Sequence, residues 1–197
     1  MEATATPVNL KIEALKNGAI WGLINVVLFL VVWYGMPSLM SSYAFVGITV
    51  IIGILLAVFF VIDLRKKAGG YWSFSEALWP ILAMFLTNMT IVLVFTLVFG
   101  KVIDPTYPVK MKEVSMAGTE KIMSSMGMDE AQVQEAMVKS EEKFDKQFNP
   151  SVGEFIFQYG QSAIFYFIGA LIFALIFKKT NPNPWAEQQA EESIPQE

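Results

Sequence analysis

Residues 43–62 read YAFVGITVIIGILLAVFFVI, twenty positions without a lysine, arginine, aspartate or glutamate, and the run ends on Asp63, Arg65, Lys66 and Lys67. At 1.5 Å of rise per residue, a helix of that length spans about 30 Å, the thickness of a bilayer's hydrocarbon core. The apolar character goes all the way round the helix, most plainly over 51–62, so no face is reserved for water. Such a segment faces lipid or another helix.

Working outward, three more blocks of the same kind appear, at 18–36, 77–99 and 155–177, and none of them carries a charge. Apolar residues make up 54% of the chain and charged residues 16%, which is greasier than an ordinary soluble domain. A membrane β-barrel needs many ten-residue segments with alternating polarity, and the blocks do not alternate. The sequence therefore predicts an all-α integral membrane protein with four transmembrane helices. A secretory signal is the competing reading of the first block, because Ser42 and Ala44 follow it at small-x-small spacing. Its apolar run is longer than a signal core, and a second block follows at once.

Positive residues near a span resist translocation, so short lysine- and arginine-rich segments set orientation. Lys11 and Lys16 precede the first span, Arg65, Lys66 and Lys67 follow the second, and Lys178 and Lys179 follow the fourth. The expected layout is a cytoplasmic N-terminal segment (1–17), a transmembrane hairpin of spans one and two (18–62), a cytoplasmic aromatic turn (63–76) and span three (77–99). An extracytoplasmic helical hairpin (100–154), span four (155–177) and a disordered cytoplasmic tail (178–197) containing Trp185 complete it. Residues 100–154 hold seven lysines against ten acids. Connections of that length translocate largely regardless of charge.

Local punctuation supports these boundaries. Gly69 and Gly70 permit a reversal, Tyr71, Trp72 and Phe74 suit the headgroup level, and Ser73 with Glu76 has capping-box spacing at the start of span three. Pro80 removes one backbone donor soon afterwards. Between spans three and four, a helix over 109–126 is expected to stop at Gly127. A second is expected to start behind Asp129, with Gln132 three positions on, and to end before Pro150. Val133, Met137, Phe144 and Phe148 form one stripe of the second helix, and Met111, Val114, Ile122, Met123 and Met126 of the first can cover it.

The chemistry available is narrow. The chain has neither cysteine nor histidine, so disulfides, thiolate nucleophiles, zinc spacings and serine–histidine pairs lack their parts. Methionine thioethers suit copper(I), but those here form no dense cluster. A formal charge of −4 without a basic stripe argues against nucleic acid. The spans hold no ionisable group at depth, where function is usually what retains one. Asn25, Asn88 and Gln161 are the candidate intramembrane polar positions, read as interhelical glue or as the lining of a polar path. Tyr71, Trp72, Glu76, Met123 and Met137 are the candidate partner-binding positions. Gly18 and Gly22, four apart, let two backbones approach. The expected activity is therefore non-enzymatic and cofactor-free: an accessory or scaffold subunit, with a small homo-oligomeric transporter or channel as the alternative.

Lys16, Asn17, Gly18, Trp21 and Gly22, then Arg65 to Lys67 running into Gly69, Gly70, Tyr71, Ser73, Phe74, Glu76 and Ala77, together resemble the domain-of-unknown-function family DUF4199 of Bacteroidota. Asp104, Pro105 and the stretch from Met123 to Met137 with Gly127, Met128 and Glu130 extend the likeness from Lys11 to Lys179. The resemblance implies a small four-span protein of the bacterial inner membrane without an established activity. It also implies a genomic neighbour, a membrane-linked glycosyltransferase, and hence an accessory role in lipid-linked sugar metabolism. It assigns no site residue.

Overall fold

The computed structural model describes residues 8–36, 39–40, 42–148 and 150–182. Trp185 and the rest of the expected tail beyond residue 182 lie outside them. Six helices follow in order: α1 (Leu10–Gly35), α2 (Tyr43–Lys67), α3 (Phe74–Val98), α4 (Tyr107–Ser125), α5 (Glu130–Phe148) and α6 (Val152–Phe177), with a π-helical turn (Phe99–Ile103) closing α3. α1, α2, α3 with its π-turn, and α6 are long and apolar enough to cross a membrane. The protein is a multi-pass membrane protein with a helical segment between its third and fourth spans.

Helix starts follow local hydrogen-bonding rules. Asn9 caps α1 through its side chain, so the helix begins at Leu10, well ahead of the apolar block, and takes Lys11, Glu13 and Lys16 into its first turns. Ser73 and Glu76 form a reciprocal capping box at the start of α3, as their spacing predicts. Ser151 and Glu154 repeat the same device at α6. Each box satisfies two of the amide donors that a helix start leaves unpaired. α3 continues through the buried Pro80.

α3 is the central element. Its widest contact is with α1 and its next with α6, while α2 touches the other three spans less extensively. Gly18 and Gly22 make the α1–α3 contact close. A Cβ built on Gly18 falls 2.5 Å from the Met84 carbonyl oxygen, and one on Gly22 falls 2.9 Å from Ile91. Between apolar helices in lipid there is little hydrophobic drive to associate, so close backbone approach and dispersion must hold the pair. Around it pack Trp21, Ile81, Met84 and Phe85, joined by Ala57, Phe60, Val61 and Leu64 of α2 and by Ala170 and Ala174 of α6. The buried residues of α2 and α6 all fall in their second halves. The bundle is thus tight at its lysine-rich end and looser toward the other.

α4 and α5 form the expected antiparallel hairpin. Gly127 at φ 72° ends the first arm, Asp129 accepts from the Gln132 amide at 2.8 Å to start the second, and Lys112 pairs with Glu141 across the arms at 2.9 Å.

Replacing Gly18 by valine drives a branched side chain into Met84 and Thr87, and should lower the stability of the detergent-solubilised protein by about 1–3 kcal/mol. Gly47→Ala, whose added methyl meets nothing within 4 Å, should leave stability unchanged or slightly raised. Thermal or denaturant unfolding of both variants checks the contrast, and equal effects would remove the close contact as the organising feature.

Candidate functional site

At the lysine-rich end, five side chains from α1 and α2 form one polar network. Asp63 and Lys67 stand four apart on the last turns of α2 and pair at 2.7 Å. The same ammonium reaches Glu13 of α1 at 2.9 Å, and Glu13 holds Lys16 at 2.7 Å. Asn17, 3% exposed, donates to Asp63 at 2.8 Å. Charges at the edge of a bilayer are costly unless paired, and here each carboxylate has a cation or an amide donor.

The aromatic turn beside this network is tied to the end of α6. Gly69 and Gly70, at φ 90° and 86°, reverse the chain as their sequence suggests. Trp72 then exchanges backbone hydrogen bonds with Lys179, and its indole donates to the Phe177 carbonyl at 2.8 Å. That carbonyl belongs to the last turn of α6, where no further helical amide exists to bond it. The Lys179 ammonium lies 5.0 Å from the centre of the Tyr71 ring. Trp72 is buried, Tyr71 is partly exposed, and the Glu76 carboxylate is held by the Ser73 amide. Of the turn residues singled out in the sequence, Tyr71 and Glu76 are exposed, the one beneath the Lys179 ammonium and the other bonded to Ser73, while Trp72 is buried against the end of α6.

Midway along the bundle Asn25 donates to Asn88 at 2.9 Å, joining α1 to α3. Gln161 is not brought to this pair. It lines a cavity of about 510 Å³ bounded by Thr96, Lys143, Gln147, Gln158 and Ser162, near the hairpin end of the bundle. The three polar positions therefore occupy two separate places.

The hairpin is seated by an aromatic cluster. Phe29 and Trp33 of α1, Phe95 of α3, Phe99 of the π-turn and Tyr107 of α4 pack with ring centres 5.0–6.5 Å apart, mostly edge to face. Met111 and Phe144 join from the two arms. Aromatic pairs in this geometry contribute roughly 0.5–1.5 kcal/mol each beyond area burial. Burial pushes the Tyr107 phenol up to about 12, so it is a neutral ring at physiological pH. Trp33 donates its indole N–H to Asp104 at 2.9 Å, and Asp104 also accepts from the Thr106 amide at 3.0 Å and from its hydroxyl. Those donors, Thr106 first, hold the Asp104 carboxyl below its ordinary value. At the opposite end of the hairpin Met126 is 72% exposed, whereas Met123 and Met137 are half-buried.

Among the described residues no group of three acids is placed to hold a metal ion. Over residues 16–179 the chain matches the family model described as protein of unknown function (DUF4199). The chain belongs to that family. No curated protein and no solved structure matches it. In this DUF4199 protein the matched region takes in the aromatic turn, the hairpin and the Asn17–Asp63–Lys67 part of the network, and Glu13 lies just before it. The sequence reading missed the network, the Trp33–Asp104 bond and the seating of Trp72 on α6. Only the helical spacings of Glu13 with Lys16 and of Asp63 with Lys67 hinted at any of them, because the other contacts join positions far apart in the chain.

A double-mutant cycle on Asn25→Leu and Asn88→Leu should return a coupling of about 0.5–2 kcal/mol, with the double variant less damaged than the singles sum to. A coupling near zero would mean the pair does not hold α1 to α3. Asp104 gives a pH signature. Its depressed folded value means that its contribution is present above the unfolded aspartate value near about 3.9 and is lost as pH falls through the lower folded value. Hydrogen exchange of the Tyr107–Met111 amides, corrected for intrinsic rate, should stay flat from about pH 8 to 5 and rise below about 4. Asp104→Asn should flatten that rise.

Proposed function

We propose that this protein is a non-enzymatic accessory or scaffold subunit of the bacterial inner membrane, with both termini in the cytoplasm and the α4–α5 hairpin outside. The observation that carries the reading is the hairpin: two arms of 19 residues, each about 28 Å long, seated at their base by the aromatic cluster and carrying an exposed methionine at the far end. A seated element of this kind holds a recognition surface at a fixed distance from the spans. Methionine suits such a surface, because its thioether side chain adapts to apolar partners.

The orientation is supported by the way Lys16, the 65–67 cluster and Lys178–Lys179 gather at one end. The Glu13–Lys67 pair and the Trp72–Lys179 backbone bonds join these segments directly. By the positive-inside tendency that end is cytoplasmic. The partner is a membrane protein that meets the hairpin, and a membrane-linked glycosyltransferase is the first to test, by family analogy. The transporter or channel reading gains nothing from the mutual pairing of Asn25 and Asn88.

Affinity purification in mild detergent after crosslinking in intact membranes should recover one membrane protein in fixed ratio. The Met126→Glu and Met128→Glu double variant should lose it while retaining the unfolding midpoint of the wild type. Self-crosslinks alone would overturn the accessory role in favour of a homo-oligomer.

A further inference from the structure

The loose half of the bundle leaves a groove between α2 and α6. Val50, Gly53, Ile54 and Ala57 form one wall, Phe165, Gly169 and Phe173 the other, and Trp21 and Phe85 the floor. The cavity measures about 310 Å³, is almost wholly apolar and opens sideways toward the lipid phase that surrounds the four spans. Two further observations bear on its occupant. The Trp21 indole N–H has no hydrogen-bond partner and is buried, in a residue only 6% exposed. An orphaned donor of that kind costs on the order of 1–3 kcal/mol and calls for an acceptor. Where the same two helices reach the lysine-rich end, Arg65 of α2 extends to the Phe177 carbonyl of α6 at 3.5 Å, with Lys66, Lys178 and Lys179 close by in the chain.

We propose that this groove holds one acyl chain of an anionic glycerophospholipid, with the phosphate at the Arg65, Lys178 and Lys179 collar. Size selects a chain over a helix: a helix lying along the seven-residue rise from Val50 to Ala57 has a diameter of about 10 Å and occupies roughly 800 Å³, far more than the groove offers. Charge selects an anionic headgroup, because basic clusters where transmembrane helices meet the membrane surface attract phosphate-bearing lipids. Depth is consistent with an ester carbonyl as the missing acceptor. Trp21 lies one helical turn, about 6 Å, deeper than Asn17, and the interfacial layer is itself about 5–8 Å thick. Gly53 keeps the wall open, since a Cβ built there meets nothing within 4 Å. The inference is independent of any protein partner at the hairpin.

The test reconstitutes the full chain in vesicles of equal phosphatidylglycerol and phosphatidylcholine, extracts it in mild detergent and counts retained lipid by native mass spectrometry. One phosphatidylglycerol per chain is expected, retained at least tenfold over phosphatidylcholine. Gly53→Leu should cut retention about tenfold. Lys178→Gln with Lys179→Gln should keep a lipid but erase the preference for the anionic one. Equal retention of both lipids by the wild type, unaltered retention in Gly53→Leu, or a crosslink from position 53 to a second copy would each overturn the proposal. A second measurement covers the case in which Gly53→Leu fails to fold. Brominated phosphatidylglycerol should quench wild-type tryptophan fluorescence more than brominated phosphatidylcholine does, and Trp21→Phe should abolish the difference. Persistence of the difference in Trp21→Phe would count against the groove.

Discussion

The close backbone contact between α1 and α3 is the constraint on which the remaining structure rests. With Gly18 and Gly22 against Met84, Thr87 and Ile91, the two helices lie nearer than any side chain larger than hydrogen allows. That proximity brings Asn25 within hydrogen-bond reach of Asn88 and sets Trp21 edge-on to Phe85, with ring centres 5.5 Å apart. Phe85 in turn meets Phe173 of α6 at 5.5 Å, so the α1–α3 pair also fixes where α6 lies. In a bilayer such steric and polar detail carries more of the burden than it does in water, because lipid tails are as apolar as the side chains they would have to yield to.

What could be read in the sequence divides along the same line. The four apolar blocks, the glycine reversal at 69–70, the Ser73–Glu76 box and the break at Gly127 were legible, because each depends on residues a few positions apart or on bulk hydrophobicity. Ser151 and Glu154 carry at the start of α6 the same three-residue signature as Ser73 and Glu76 at α3. The pairing of spans was not legible. Helices apolar on every side show no stripe to say which face meets which neighbour, and consecutive spans are the natural assumption. Here the first span packs most widely on the third. Asn25 and Asn88 were recognisable as glue, but nothing in the chain indicated that they bond to each other and leave Gln161 elsewhere.

The ends of the bundle are built by different means, and the difference follows from what surrounds them. At the lysine-rich end, charged side chains reach the membrane boundary and must be neutralised in place, so Glu13, Asp63 and Lys67 pair across α1 and α2. At the other end rings do most of the joining, with the Trp33 indole bonded to Asp104 and the Lys110 ammonium 5.4 Å from the centre of the Trp33 ring. A salt-bridged hairpin base would cost desolvation on both partners. The aromatic seat avoids that cost and still fixes direction, because edge-to-face contacts are angle-dependent.

The wedge between α2 and α6 is a consequence of this uneven construction. α2 is fastened through Asp63 and Lys67 to α1 and through Ala57, Phe60, Val61 and Leu64 to the core, all in its second half. Its first half carries Val46, Val50, Ile51, Ile54 and Leu55 with their side chains largely exposed, and among the described residues no ion pair joins that half to another span. A helix held at one end and free along the other opens an angle with its neighbour, and the gap widens away from the fastening. In water the exposed face would be driven shut, but in lipid it is solvated by acyl chains and the angle persists without penalty. The groove between Val50–Ala57 of α2 and Phe165–Phe173 of α6 therefore lies on the side of the Asp63–Lys67 fastening where that angle has opened.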